Sequence, residues 1–294
     1  MKESEHLEKT LSILLQKLSK DVSYQRSHSA EPPPAFESNP WDRLGEDCHK
    51  YDRGHLLIIG GSAGKTGAIQ LAGKAAYRAG AGWVSLAPLA KLHSPDPIFT
   101  TEQVWEDSML SAVKLREVLL ERKVKALVIG PGLVNQVLNQ NILKILSQWQ
   151  RQTNGFLVLD AGTLHGIAPI LSGTLPDRTL LTPHPGEWQK LGKPPSEGIP
   201  ATLAYKSSQP IVFGKHLWMI ASKPNRVLAR AGVGDALAGA AAAYGGLGLD
   251  ADEAFIRACR LLRTTAENLT NTRCRDSITT SDIIEAIGLC SPMM

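Results

Sequence analysis

From residue 55 onward, short unbroken apolar runs alternate with stretches patterned for helix, and each run stops at a glycine-rich or polar turn. The runs cover residues 56–59, 83–87, 126–129, 156–159, 179–181 and 210–213, and helices are predicted over 66–79, 108–122 and 138–150. An apolar run without period-two alternation marks a strand buried on both faces. Parallel neighbours need long crossovers, which helices supply. The chain is therefore expected to be α/β, with a central mostly parallel sheet flanked by helices on both faces. Ligands of such sheets sit outside the carboxyl ends of the strands. The turns at those ends are Gly60-Gly61-Ser62, Gly130-Pro131-Gly132, Asp160-Ala161-Gly162 and Thr182-Pro183-His184-Pro185-Gly186-Glu187.

The last third reads as helical. Gly232-Val233-Gly234-Asp235 precedes the small-residue stretch 236–243. A Gly-x-Gly turn opening a helix aims backbone N–H groups and the positive helix end at one spot, which suits a phosphate. Asp235 then stands where a base would take a proton from an attacking hydroxyl; an ordinary N-capping Asp is the competing reading. A further helix is expected over 251–270. Thr279 and Asp282 fit a capping box for a final helix through residue 287.

Composition excludes several classes. Net charge is +4 without long basic runs and aromatic residues are 5%, so neither an electrostatic nor a stacking case for nucleic acid exists. No apolar run reaches the roughly 18 residues that span a bilayer. Cys48, Cys259, Cys274 and Cys290 lack metal-ligand spacing and read as reduced thiols, and no protein metal site is expected. With no signal-peptide pattern, a cytoplasmic location is expected. Residues 1–45 are read as an amphipathic helix (5–20, with Leu7, Leu11, Leu14, Leu15 and Leu18) followed by a Pro-rich linker or arm over 24–42; residues 46–294 are read as the folded domain.

Gly60-Gly61-Ser62-Ala63-Gly64-Lys65-Thr66 falls one residue short of a Walker A loop, because position 59 is Ile. Taken with His49-Lys50-Tyr51, Gly54, Thr66-Gly67-Ala68, Arg78-Ala79-Gly80-Ala81-Gly82, Ile129-Gly130-Pro131-Gly132, Leu159-Asp160-Ala161, the 182–187 turn, Gly232-Val233-Gly234-Asp235 and 279–285, it resembles the nucleotide-dependent NAD(P)H-hydrate dehydratases over residues 47–288. That resemblance implies a ribokinase-like fold and a cofactor-repair activity. NAD(P)H hydrated at C6 would be phosphorylated by ADP or ATP with Mg2+, and phosphate elimination would restore the dihydronicotinamide. It assigns Asp235 as catalytic base, Ala68, Gly132 and His184 to the hydrated cofactor, and Gly232, Val233 and Gly234 to the transferring phosphoryl group. It also implies small-molecule nucleotides as partners, a homo-oligomer and a separate epimerase partner. Ala68 serves equally well as a packing residue, Asp160 as a holder of metal-bound water or a turn cap, and Lys65 as a phosphate or solvent contact.

The nucleotide side departs from the family pattern. The family's Lys-Gly pair after a strand is read here as Gly214-Lys215, reversed, following residues 210–213, so Lys215 is assigned to the nucleotide. The Gly-Asn-Pro segment is read as Pro224-Asn225-Arg226, with Asn225 at the nucleotide, and the hairpin before the nest as shortened. Val233 replaces a hydroxyl residue and Val134 a glycine. A small-molecule kinase of the same fold and a non-catalytic nucleotide-binding protein are the alternatives.

Overall fold

A computed structural model describes residues 39–93, 96–134, 138–164, 178–191, 201–208, 210–213, 217–219 and 224–289. The helix expected over 5–20, most of the 24–42 linker, and Lys215 lie outside the described residues. The elements run β1 (His55–Gly60), α1 (Thr66–Arg78), β2 (Trp83–Pro88), β3 (Thr100–Thr101), β4 (Trp105–Glu106), β5 (Met109–Leu110), α2 (Ala112–Glu121), β6 (Val124–Ile129), α3 (Gln140–Thr153), β7 (Phe156–Leu159), β8 (Thr179–Leu181), α4 (Pro185–Leu191), β9 (Thr202–Tyr205), β10 (Ile211–Phe213), β11 (Leu217–Met219), α5 (Val233–Gly246), α6 (Ala251–Leu269) and α7 (Thr280–Ala286).

Nine strands form one sheet in the order β11-β10-β9-β8-β7-β6-β1-β2-β3 among the described residues. Seven of them, β3 through β9 across that order, pair in parallel, and β10 is antiparallel to both its neighbours. Alternate strand residues feed two cores, as the pleat requires. Leu56, Ile58, Val84, Val128 and Phe156 pack with α1, α5, α6 and α7, whereas Leu57, Ile59, Leu127, Leu157 and Leu203 pack with α2 and α3. The sheet is thus covered on both faces, as expected.

Three expectations are corrected. The helix placed over 108–122 starts only at Ala112, because 109–110 pair with 105–106 as a two-stranded ribbon. The strand β9 was missed, since four residues beyond a Pro-rich stretch carry little pattern. The strand near 210–213 is an antiparallel hairpin arm, and with β11 it supplies the hairpin read as shortened. At the amino-terminal edge, Pro40–Arg43 form a 3-10 turn, and Trp41 packs against Tyr244 with ring centroids 6.3 Å apart.

Two features place the ligand-facing helices. The small side chains of α5 let it cross α1 closely: a methyl group on Gly239 would lie 2.0 Å from the Ala72 carbonyl oxygen. At the far end Arg178 donates from Nη2 to the carbonyl of Gly245 in the last turn of α5, at 2.9 Å, and to that of Leu249 just beyond it, at 2.8 Å.

Candidate active site

The carboxyl ends of β1, β6, β7, β8 and β9 face the amino ends of α1, α4 and α5. Gly232, at φ +89°, caps α5, so Val233, Gly234 and Asp235 form its first turn with N–H groups unpaired within the helix, that of Val233 making a long 3.4 Å bond back to the Arg230 carbonyl. The left-handed conformation explains the glycine. Thr280 Oγ1 donates to the Ala231 carbonyl at 2.7 Å and ties this turn to α7, whose predicted Thr279–Asp282 capping box is present.

Asp235 is half-buried, and among the described residues its carboxylate makes no hydrogen bond or ion pair. Burial, with the neighbouring Asp160 charge adding to it and Lys206 opposing, raises its pKa from 3.8 to about 6. That is a base poised near neutrality. Asp160 is 2% exposed and ion-paired through Oδ1 to Lys206 Nζ. Of the two readings of Asp160, the turn cap finds no support, since among the described residues its side chain bonds Lys206 and not the turn that follows. A methyl on Gly234 would sit 3.5 Å from Lys206 Nζ, so the ammonium borders the α5 turn as well.

Lys206 is the site residue that sequence reading missed. It follows β9 directly, so the Lys-Gly pair sought at Gly214-Lys215 is better matched by Lys206-Ser207. The signal was available only once β9 was recognised as a strand.

Ala68 and Gly132 come together. A methyl on Gly132 (φ +72°) would lie 3.1 Å from Ala68 Cβ and 2.4 Å from the Lys65 carbonyl oxygen. Lys65 is exposed at the N-cap position of α1, where no side chain caps the helix. Gly130, at φ +142°, passes so close to β7 that a methyl would be 1.9 Å from the Asp160 carbonyl oxygen. Val134 is exposed beyond this turn.

His184 has two duties. Its Nδ1 accepts from the N–H groups of Gly186 (2.9 Å) and Glu187 (3.3 Å), while Glu187 Oε2 accepts from the His184 N–H at 2.8 Å. It therefore caps α4 as Ser or Thr would in a capping box. Because Nδ1 accepts, the proton belongs on Nε2. The ring also borders a cleft of about 1060 Å3 that runs past Lys206, Gly234 and Asn225 toward α6. Asn225 lies on that cleft, but its Oδ1 accepts from the Val227 N–H at 3.0 Å, so part of its role is to cap a 3-10 turn. Among the described residues no three of His, Cys, Asp and Glu gather as a metal cage.

This constellation has counterparts. The NAD(P)H-hydrate dehydratase family profile matches residues 56–288. A bifunctional NAD(P)H-hydrate repair enzyme of Methanopyrus kandleri is 30% identical over 86% of this chain and 51% of its own, so the chain spans about half the length of that relative. An ADP-dependent (S)-NAD(P)H-hydrate dehydratase of Staphylococcus aureus is 30% identical over 76% of this chain and 84% of its own. A ribokinase-like superfamily protein of Enterococcus faecalis superposes with a TM-score of 0.69 at 23% identity, over 86% of this chain and 93% of that one, and so shares the fold. Matched from β1 to the end of α7, the chain belongs to the NAD(P)H-hydrate dehydratase family.

Proposed function

We propose that this chain converts hydrated NAD(P)H to NAD(P)H by phosphorylating the C6 hydroxyl with ADP or ATP and then expelling phosphate. The observation that carries the reading is Asp235, a carboxylate raised to about 6 on the first turn of α5, beside the Asp160–Lys206 pair.

In the first step Asp235 takes the hydroxyl proton as that oxygen attacks the terminal phosphorus, and the phosphorus–oxygen bond to the nucleotide breaks. The Val233 and Gly234 N–H groups hold the charge that grows on the transferred group, and Lys206 neutralises part of it. In the second step the C6–O bond breaks with its electron pair on phosphate. A proton leaves the neighbouring ring carbon, and a double bond forms. Ala68 and Gly132, which lie together, and His184 on the cleft are the residues we assign to the ring. Mg2+ would ride on the nucleotide's phosphates, with Asp235 and Asp160 the carboxylates at hand, and would neutralise charge there.

The test incubates the protein with hydrated NADH, Mg2+ and either ADP or ATP, and follows return of dihydronicotinamide absorbance. Wild type should restore it and Asp235→Asn should not. Equal rates in the two proteins would remove Asp235 from the mechanism.

A further inference from the structure

The cleft carries more positive charge than a diphosphate needs. Beyond Lys206, already matched by Asp160, it is bordered by Arg226, Arg230, Arg275 and, on α6, Arg260 and Arg263, the last paired with Glu267 of the same helix. Arg226 and Arg230 come from the segment leading into the α5 turn, and Arg275 comes from the 3-10 turn before α7. The two segments meet at one acid. Asp276 Oδ2 accepts from Arg226 Nη2 at 3.3 Å, and its carbonyl oxygen accepts from Arg230 Nη2 at 2.6 Å. A carbonyl orients a guanidinium without cancelling its charge, so the Asp276 carboxylate answers Arg226 alone, and Arg275 makes no hydrogen bond or ion pair among the described residues. The Arg226–Asp276 pair is itself long and exposed, with side chains 67% and 72% accessible, and such pairs are readily exchanged for a better anion.

The position of the cluster decides what that anion is. Arg230 lies two residues before the Gly232 cap, and the Thr280–Ala231 hydrogen bond holds the α7 segment against the same turn. Arg230 therefore stands at the phosphate end of the cleft, and Arg226 and Arg275 line the same cleft. Once the terminal phosphoryl group sits on the α5 turn, a diphosphate leaves one phosphate for this cluster, whereas a triphosphate leaves two.

Resting on the dehydratase reading above, we propose that Arg226, Arg230 and Arg275 form a polyphosphate subsite that makes this chain select a nucleoside triphosphate over the diphosphate. The S. aureus relative is, by its name, ADP-dependent.

The test is equilibrium binding of ATP, ADP, AMP and adenosine 3′,5′-bisphosphate with Mg2+ by calorimetry, on wild type and on the Arg226→Ala/Arg275→Ala double variant. Both arginines are exposed, and a thermal melt checks that the variant folds. ATP should bind wild type at least about tenfold more tightly than ADP, the factor that one charge-assisted hydrogen bond supplies. In the double variant the two affinities should come within about twofold, and added salt should shrink the wild-type gap. Equal or tighter ADP binding by wild type overturns the subsite while leaving the dehydratase reading intact. A preference for the 3′-phosphate over AMP that is as large as that for ATP over ADP also overturns it, because the arginines would then read the ribose. No binding of any nucleotide would sink the parent reading as well.

Discussion

The two halves of the ligand rim are built from different materials. On the β1–β6 side the chain brings backbone against backbone. Gly130 lies against Asp160, Gly132 lies against Lys65 and Ala68, and the contacts between these turns are made by main chain and small side chains. On the β8–β9–α5 side charged side chains dominate: Asp160, Lys206, Asp235 and the arginines at the cleft. Rigid main chain discriminates by shape, which suits a flat ring. Opposed charges held away from water stabilise charge that develops during reaction, which suits phosphoryl transfer. Under the proposed function, the contrast divides one rim between recognition and chemistry.

That division can be broken from either side. The largest effect is expected from Asp235→Asn, which should lower turnover by about a hundredfold to ten-thousandfold, measured by dihydronicotinamide recovery. The same change should stabilise the fold. A carboxyl raised from 3.8 to about 6 opposes folding once ionised, by up to about 3 kcal/mol at about 1.4 kcal/mol per unit. The gain is full above pH 6 and vanishes as pH falls toward 3.8, where the wild-type carboxyl is also neutral. Urea midpoints of the two proteins across pH check this. A variant less stable than wild type at neutral pH would remove the strain from the charged side of the comparison.

Lys206→Met should destabilise by about 3 kcal/mol, since Asp160 would keep a buried and unpaired charge. It also removes the cation that opposes the rise of Asp235, so the acid limb of the activity profile should move above pH 6. An unchanged limb would disconnect Lys206 from the base. On the backbone side, Gly130→Ala should cost about 2 kcal/mol or more, because the residue sits at φ +142° with no room for a methyl. Its signature is loss of stability with the pH limb of the surviving activity unmoved.

The smallest effect belongs to the opposite end of the sheet. His55 is 1% exposed, stacked on Trp83 at 4.6 Å, and bonded through Nε2 to Ser85 Oγ at 2.8 Å and through Nδ1 to the Arg122 carbonyl at 2.7 Å. Burial lowers its pKa below 6.5. The unfolded chain therefore takes the proton first, and the stability contributed by neutral His55 is full above 6.5 and lost as pH falls below it. His55→Gln should flatten that loss in urea titrations at neutral and mildly acid pH, with catalytic rate unaltered at neutral pH. A changed rate would show that the two ends of the sheet communicate.

Most of the architecture was legible in advance. The runs at 56–59, 83–87, 126–129, 156–159 and 179–181 are strands, and the turns after them face the ligand rim. The Thr279–Asp282 box and the α5 turn were local patterns of a few residues, so they could be read without the fold. His184 was singled out as a site residue, yet its capping of α4 rests on a reciprocal bond with Glu187 that composition does not reveal. The lysine assignment failed because β9, Thr202-Leu203-Ala204-Tyr205, is not an unbroken apolar run and follows a Pro-rich stretch, so the lysine at 215, after the apolar run at 210–213, was taken in place of Lys206.

Sequence alone determined which segments are strands buried on both faces, which turns end them, and that an acid follows a Gly-x-Gly helix start. Those are properties of neighbouring residues, written in spacing and backbone preference. Only the tertiary structure decided that Lys206 pairs with Asp160, 46 positions away, that both stand beside Asp235, and that Arg226 and Arg230 reach Asp276 from a distant segment. Charge coupling depends on distance through space, and the chain's order does not encode that distance until the sheet has set β7, β9 and α5 side by side.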